Sequence, residues 1–332
     1  MINVNDKRMI GGIGINNLSP MKYPWGKQYW ELGMSTHWGL EKLNMSKDYN
    51  DFRNLSPGEQ HIFINVLAYL TTSDILAQRN VINVVHGHIT APEVTLYLAR
   101  QGFDETVHSM TYQHLIESMG LEEHDLYGRY LTVPAINDKI QYANKIMDQG
   151  TAVNPLDDRE SLLTFIKSYL FFAMIFEGIW FYHGFTPILA LTRKGILPGS
   201  TSAFEYIIRD EANHSAFGMR VVKTIMDENN VKLADIQDDV HQMLYDAHEH
   251  EANYINFILP DGGVPGYTVK DHLTHFKYMA NRRCYEFGLA SLFDECIANP
   301  LPWLDQAVAL KKEKNFFETS VTEYDNSGLN WD

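Results

Sequence analysis

The sequence of 332 residues is short of cysteine and of positive charge. Its two cysteines, Cys284 and Cys296, form no Cys-x-x-Cys pair, so neither a disulfide framework nor a thiolate zinc site is expected. Lysine and arginine number 27 against 42 acidic residues, and the net charge of -15 argues against nucleic acid or an anionic membrane as the main partner. A reducing, cytoplasmic location fits both features.

Targeting signals and strand patterns are also missing. The N-terminus has no basic region followed by an apolar core, so no secretory signal is expected. The one membrane-like segment, residues 168–191, contains Glu177, His183 and Pro187 and is better explained as a helix buried in a large core. Strand-type alternation of apolar and polar residues is nearly absent, so the sequence predicts an all-α fold.

The sequence does contain a Glu-x-x-His motif that occurs twice on predicted helices, beginning at Glu105 and at Glu211. A single copy is weak evidence, since chance supplies about one in a chain of this composition. Each copy, however, follows an acid in an apolar helix. Asp74 lies 31 residues before Glu105, and Glu177 lies 34 residues before Glu211. The two halves of the chain therefore repeat one unit.

Four helices with inward acids and two Glu-x-x-His pairs are the ligand arrangement of ferritin-like bundles that bind two metal ions. The candidate metal ligands are Asp74, Glu105, His108, Glu177, Glu211 and His214. Four buried carboxylates would be strongly unfavourable without positive charge, and two divalent cations would offset them. This ligand set suits iron or manganese better than structural zinc. The ordinary alternative is a set of exposed acids on amphipathic helices.

A tyrosine and several apolar residues are expected beside this centre. Tyr112 lies one helical turn beyond His108, and a phenol so close to an oxidising metal pair is a candidate for one-electron oxidation. Phe181, Phe185 and Ile207 are placed to wall off the site. Dry apolar walls would protect a radical, although such a stripe is also typical of any core.

Three other polar residues lie outside the set of candidate ligands: Asp210, His248 and His250. Asp210 points about 100° away from Glu211 on the same helix. It would either hold a ligand imidazole in one tautomer or be an ordinary exposed acid. His248 and His250 are interpreted as part of a solvated helix face.

The chain is expected to form one helical domain, because the predicted metal site needs helices from both halves. Residues 1–24 are predicted to be an irregular arm, 25–310 the domain and 311–332 a polar tail. Ser56-Pro57-Gly58-Glu59 predicts a helix start, and Gly120 predicts a helix end. The tail has no helical period and is not expected to pack on the core, but its aromatic residues suit docking.

Taken together, the motifs resemble the small, radical-generating subunit of class I ribonucleotide reductase. The resemblance runs from about Trp25 to the C-terminus. The stretches that carry it are His37-Trp38, Met45-Ser46-Lys47-Asp48, Asp74, Glu105-Thr106-Val107-His108 with Tyr112, Phe176-Glu177-Gly178, Arg209-Asp210-Glu211-Ala212-Asn213-His214, and Phe316-Phe317-Glu318-Thr319 with Tyr324. The resemblance implies a ferritin-like bundle with additional helices and a homodimer.

The same resemblance implies a mechanism. One ion would be bound by Asp74, Glu105 and His108 and the other by Glu177, Glu211 and His214. Two iron ions are expected, with a manganese–iron or a dimanganese centre as alternatives, and O₂ would serve to oxidise Tyr112 to a stored radical. Trp38, Asp210 and His108 match the family's relay to the surface. Tyr324 matches the tail tyrosine that passes the oxidising equivalent to the large (alpha) subunit, where ribonucleotides become deoxyribonucleotides.

In detail, residues 177–182 and 314–319 resemble the branch of the family that includes chlamydial small subunits with a manganese–iron cofactor. Those proteins have Phe and Glu where this chain has Tyr112 and Asp74, which favours a tyrosyl radical here. Tyr206 matches a tyrosine that assists electron delivery in that branch. Two alternatives remain: a related di-iron or manganese–iron oxidase acting on its own small-molecule substrate, and a non-catalytic metal-binding protein of the ferritin type.

Overall fold

The computed structural model describes residues 6–14, 16–293 and 298–305. Helices predominate in these residues and the strands among them are two residues long, so the all-α prediction is confirmed. The helices are α1 (Pro24–Ser35), α2 (Asp48–Arg53), α3 (Pro57–Asn80), α4 (His86–His88), α5 (Pro92–Met119), α6 (Glu123–Thr132), α7 (Pro134–Thr151), α8 (Arg159–Leu170), α9 (Phe181–Thr192), α10 (Pro198–Glu228), α11 (Gln237–Ile258) and α12 (Val269–Phe287). A π-helical segment (Val81–Val85) joins α3 to α4, and another (Phe171–Trp180) joins α8 to α9. A two-stranded hairpin, β1 (Gly263–Val264) and β2 (Tyr267–Thr268), precedes α12.

The predicted helix boundaries around the site have the expected local chemistry. The Ser56 hydroxyl accepts a hydrogen bond from the Glu59 backbone N–H, and the Glu59 carboxylate accepts one from the Ser56 N–H. This capping box satisfies two amide groups that would otherwise lack partners at the start of α3. Gly120 ends α5 in the left-handed conformation at φ 65°, which glycine adopts without steric cost.

Four long helical segments form the central bundle. α3 packs against α5, and α10 packs against the π-helical segment between α8 and α9. Contacts of α10 with α5 and of α3 with α9 join the two pairs. The other helices surround this bundle. Among them, α7 packs on α8, and α11 packs on α12. The two halves of the sequence thus contribute two central helices each, which matches the repeat in the sequence.

The continuous helical stretch Arg159–Thr192 is long and apolar enough to cross a bilayer by composition alone. Of its most apolar window, 83% is buried inside the protein. It is therefore a helix of the protein core, as the sequence predicts. Glu177 lies in its π-helical part, a type of helix defect that is frequent at functional sites.

The N-terminal arm is anchored to the bundle by two carboxylates. Glu93 of α5 accepts hydrogen bonds of 2.7 Å from the backbone N–H groups of Lys22 and Tyr23. Glu228 of α10 accepts one of 2.8 Å from the backbone N–H of Met9 and pairs with the Lys22 ammonium at 2.6 Å. Met9 is completely buried, so part of this irregular segment packs on the bundle.

His248 and His250 differ from the prediction of a solvated face. Both side chains are half-buried on α11. The His250 ring packs against Tyr142 and Trp180, and the His248 ring packs against Phe276. The prediction was wrong because α7 and α12 cover this face of α11, and the local sequence contains no signal for that packing.

A second buried polar cluster lies outside the central site. The Lys139 ammonium pairs with Glu251 at 2.6 Å and lies 4.1–4.9 Å from the ring centroids of Tyr69, Tyr254 and Trp180. His272 is 2.7 Å from the other oxygen of Glu251. The burial of Glu251 alone would raise the pKa of its carboxyl, but Lys139 and His272 lower that pKa to about 2.

We expect Glu251→Gln to destabilise the fold in a pH-dependent way. A carboxyl whose pKa falls from 4.5 to about 2 on folding contributes about 3 kcal/mol above pH 4.5, and the contribution disappears as the pH falls towards 2. The difference in unfolding free energy between wild type and variant should therefore shrink over that window in denaturant titrations. Glu249→Gln, on the exposed face of α11, is the matched control and should change stability little.

Candidate metal centre

Six side chains from the two helix pairs meet in the middle of the bundle. α3 supplies Asp74, α5 supplies Glu105 and His108, the π-helical segment supplies Glu177, and α10 supplies Glu211 and His214. All six are completely buried. The candidate ligands predicted from the sequence are therefore in one place, and none of them is an exposed acid.

The six side chains form two overlapping groups, in each of which the ligand atoms lie within 4.8 Å of one another. One group is Asp74, Glu105, His108 and Glu211, and the other is Glu105, Glu177, Glu211 and His214. Glu105 and Glu211 belong to both groups. This refines the pattern implied by the family resemblance, in which each of these two glutamates was assigned to one ion. Two shared carboxylates suit a pair of cations that Glu105 and Glu211 would both help to hold.

Eight buried polar atoms in this centre have no hydrogen-bond partner. They are Asp74 Oδ2, both carboxylate oxygens of Glu105 and of Glu211, Glu177 Oε2, and the Nδ1 atoms of His108 and His214. Native proteins rarely leave buried polar atoms unpaired, and eight in one place require a common partner. Divalent cations are such a partner, and the donor set of oxygens and imidazole nitrogens fits them.

Each ligand histidine is oriented by an aspartate from the opposite pair of helices. His108 of α5 places Nε2 3.4 Å from Asp210 of α10, and His214 of α10 places Nε2 3.5 Å from Asp104 of α5. A carboxylate at one ring nitrogen fixes the tautomer that leaves the other nitrogen free as a metal ligand. The arrangement is reciprocal, because Asp104 precedes Glu105 just as Asp210 precedes Glu211.

The protonation equilibria show an excess of negative charge in the protein alone. Burial raises the pKa of Asp74 to about 8 and raises that of Glu177 well above its ordinary range. Burial lowers the pKa of the His108 imidazole, but the surrounding carboxylates, Asp210 first among them, raise it more. Protons thus offset part of the carboxylate charge, and divalent cations would replace them.

Tyr112 lies at one side of the centre. Its hydroxyl donates a hydrogen bond of 3.4 Å to Asp74 Oδ1, and its side chain is completely buried. Burial raises the pKa of this phenol well above its ordinary value, so the hydroxyl is protonated at neutral pH. Its ring stacks on Phe204, with the two ring centroids 6.4 Å apart.

The apolar residues that the sequence predicts around the phenol are buried, and two of them form a row of rings behind Phe204. Phe185 packs on Phe204 with centroids 5.9 Å apart, and Phe181 stacks on Phe185 at 6.0 Å. Ile207 is also completely buried, on α10. These side chains exclude water from the region around the phenol.

Trp38 connects the centre to the outer part of the protein. Its indole N–H donates a hydrogen bond of 2.6 Å to Asp210, which in turn lies next to the His108 ring. The Trp38 ring stacks on Tyr206 at 5.0 Å and lies 6.2 Å from the His108 ring. Arg209 pairs with the second oxygen of Asp210 at 2.9 Å. Asp210 is therefore buried and bonded, and the alternative of an ordinary exposed acid is excluded.

Sequence reasoning missed several residues of this site. Asp104 follows the same Asp-Glu-x-x-His spacing as Asp210, and that repeat was the available signal. Gln101, whose amide donates a 2.7 Å hydrogen bond to Glu177, lies one turn before Glu105 on the same face. Phe204 had no signal, because its contact with the phenol depends on how α10 crosses α5. Tyr324 lies outside the described residues.

Comparison with known proteins gives the context for this geometry. Residues 15–300 match the family model described as ribonucleotide reductase, small chain. The chain is 32% identical over 327 residues to the ribonucleoside-diphosphate reductase subunit beta of Chlamydia pneumoniae. The alignment covers 96% of this chain and 93% of that protein. The chain is 28% identical over 340 residues to the protein of that name from Treponema pallidum, covering 98% and 93%.

Solved structures show the same fold. The ribonucleotide reductase R2 subunit from Clostridium botulinum superimposes with a TM-score of 0.82 at 23% identity, covering 91% of this chain and 94% of that one. The dimanganese(II)-NrdF of Streptococcus sanguinis gives a TM-score of 0.73 at 21% identity, covering 88% and 98%. The prediction of a ferritin-like bundle is thereby confirmed.

Proposed function

This chain belongs to the ribonucleotide reductase small-chain family and is the beta subunit of a ribonucleoside-diphosphate reductase, and we propose that it stores its oxidising equivalent as a radical on Tyr112. The observation that carries this proposal is a buried phenol hydrogen-bonded to Asp74, at the edge of a cluster of eight unpaired ligand atoms.

We propose that two iron ions bind between the shared carboxylates, with manganese as the alternative at either position, since both metals accept these ligands. When bound, the ions would enable O₂ to oxidise a neighbouring group. Glu105 and Glu211 would contact both ions, whereas Asp74 and Glu177 would contact one each. Asp74 and Tyr112 together favour a di-iron centre with a tyrosyl radical, by comparison with the chlamydial branch.

The residues of the chain then have separate tasks. Tyr112 would give one electron to the oxidant that O₂ and the bound ions supply, and its hydroxyl proton to Asp74, the acceptor 3.4 Å away. Phe204 and the aromatic residues behind it keep water from the phenol. Trp38 and Asp210 offer a hydrogen-bonded path for an electron and a proton between the centre and the protein surface. Tyr206, stacked on Trp38, would extend that path during activation.

Membership of the family implies a large-subunit partner. We propose that residues 311–332 dock on that subunit, that Tyr324 accepts the oxidising equivalent there, and that the complex acts in the cytoplasm. An oxidase with its own small substrate and a ferritin-type metal binder are not favoured, because neither needs an indole bonded to Asp210 or a tyrosine in the tail.

Electron paramagnetic resonance tests the proposal directly. We expect the protein loaded with Fe(II) without oxygen and then exposed to O₂ to give a tyrosyl radical signal. The variant Tyr112→Phe should bind the same amount of metal and give no such signal, because Phe fills the same space without an oxidisable hydroxyl. Tyr285→Phe, which changes the most exposed tyrosine of the described residues, is the control. Identical spectra for wild type and Tyr112→Phe would place the radical elsewhere.

We propose that the homodimer forms through the outer face of α3 and α5. Large apolar side chains that are 36–51% exposed repeat there every seven residues: Ile75 of α3 and Ile82 of the π-helical segment after it on one side, and Leu96, Phe103 and Met110 of α5 on the other. Ile82 and Phe103 also line a surface cavity of about 340 Å³. An exposed apolar patch of this extent is typical of a protein interface.

We expect Phe103→Glu to convert the dimer to a monomer. The buried charge would face its own copy across a two-fold interface and weaken association about 100-fold. Light scattering after gel filtration measures the mass. The control is Leu131→Glu, which changes a more exposed apolar residue on α6. Equal masses for the two variants would contradict this assignment of the interface.

A further inference from the structure

A cavity of about 750 Å³ opens on the surface between α10 and α12, and the proposed chemistry does not use it. Its apolar wall contains Met219 of α10, Met279 and Phe287 of α12, and Tyr182 of α9. Methionines adapt their shape to different ligands and are frequent at surfaces that bind peptides. A cavity of this size, with apolar side chains in part of its lining, is large enough to hold aromatic side chains.

The mouth of the same cavity is positively charged. Four basic and two acidic side chains line it: Arg220, Lys223, Arg282 and Arg283 against Glu286 and Asp305. Arg283 is nearly buried and is fixed by the Gly178 carbonyl at 3.0 Å and by Glu286 at 2.7 Å. Arg220, Lys223 and Arg282 are exposed. In a chain with a net charge of -15, this local positive excess selects a ligand that combines acidic and apolar groups.

The C-terminal end of the chain has that chemistry. Residues 316–332 contain four acidic and no basic residues. An aromatic residue is followed directly by an acid three times, at Phe317-Glu318, Tyr324-Asp325 and Trp331-Asp332. Each pair offers a ring for the apolar wall and a carboxylate for the basic mouth.

The cavity is also within reach of this segment. Asp305, the last residue that the structure describes, is itself part of the cavity lining. Residue 316 follows eleven positions later, and eleven residues can span at most about 40 Å, so the segment begins within covalent reach of the cavity. A tethered segment has an effective concentration on the order of millimolar, so even a weak fit would be populated.

We propose that residues 316–332 bind in the α10–α12 cavity when the large subunit is absent. The contact itself is independent of the proposed function, but its effect on the large subunit rests on that function, because the same segment would dock there. The cavity and the large subunit then compete for one tail. The fold thereby contains an internal competitor that holds the Tyr324 segment until the partner displaces it.

Zero-length cross-linking of the full metal-loaded chain tests the contact without the large subunit. A carbodiimide should couple the Lys223 amine to one of the tail acids in a product of single-chain mass, identified by peptide mass spectrometry. Lys223→Arg keeps the charge but removes the amine and should abolish the product. Arg282→Glu should lower the yield about fivefold by charge repulsion. Lys145→Glu, the same charge change on the exposed face of α7, should not.

The outcomes separate this contact from the proposed function. Absence of a Lys223 product, an unchanged yield in Arg282→Glu, or a product of double mass would overturn the self-contact. If the cavity holds the tail in about two thirds of the wild-type chains, only about one third of them have a free tail. Arg282→Glu, which frees most tails, should then bind the large subunit about threefold more tightly. Unchanged or weaker binding would contradict the competition. Failure of the wild-type chain to support reduction with any large subunit would instead refute the proposed function and leave the cross-link unaffected.

Discussion

Glu211→Ala should weaken the binding of both metal ions by more than about 1,000-fold, whereas Glu177→Ala should weaken the binding of one. The reason is that Glu211 belongs to both groups of ligand atoms and Glu177 to only one. Loss of a residue that merely orients a ligand already costs about 10–100-fold in metal affinity, and loss of a bridging carboxylate removes a charged ligand from each ion. Both glutamates are completely buried, so burial does not distinguish the two variants.

Manganese(II) titration followed by electron paramagnetic resonance of the unbound ion measures this difference. Wild type should bind two equivalents tightly, Glu177→Ala one, and Glu211→Ala neither. Glu205→Ala, an acid on the same helix that is outside both groups, should behave as wild type. Equal losses in Glu177→Ala and Glu211→Ala would contradict the sharing of Glu211 between the ions.

Trp38→Phe should lower ribonucleotide reduction with the large subunit about 1,000-fold and leave the Tyr112 radical intact. The substitution keeps an aromatic ring against Tyr206 but removes the indole N–H that donates to Asp210 at 2.6 Å. Asp210 remains bonded to Arg209 and close to His108, so the metal centre keeps its geometry. Removal of a group that carries protons in a reaction path costs about 100- to 10,000-fold in rate.

The matched control is Trp25→Phe, which removes an indole from another buried position that packs on Phe217. It should leave turnover and the radical signal near wild type. Rate assays, metal counts and radical yields on the same preparations separate transfer from assembly. If Trp38→Phe lost the radical as well as turnover, Trp38 would belong to the assembly of the centre. Turnover within tenfold of wild type would remove it from the path.

The list of candidate ligands could be predicted from the sequence because each ligand lies on a helix whose period fixes its neighbours. Glu105 and His108 fall on one face whatever the tertiary structure, and so do Glu211 and His214. The acids Asp74 and Glu177 could be predicted because they interrupt apolar helices. Such acids need a counter-charge when buried.

The relations between helices could not be predicted in this way. Asp104 of α5 lies next to His214 of α10, and Asp210 of α10 lies next to His108 of α5. This pairing depends on the direction in which α5 and α10 cross, and local spacing does not define that direction. The sharing of two carboxylates has the same origin. The α3–α5 face is equally invisible in the sequence, since Phe103 and Leu98 are both apolar and only packing shows which of them remains exposed.

Anomalous diffraction from crystals grown with iron or manganese would locate the ions. We expect two peaks in each chain, with Glu105 and Glu211 in contact with both, His108 Nδ1 on one and His214 Nδ1 on the other. A bundle interior without any ion, or ions bound away from these side chains, would contradict this expectation.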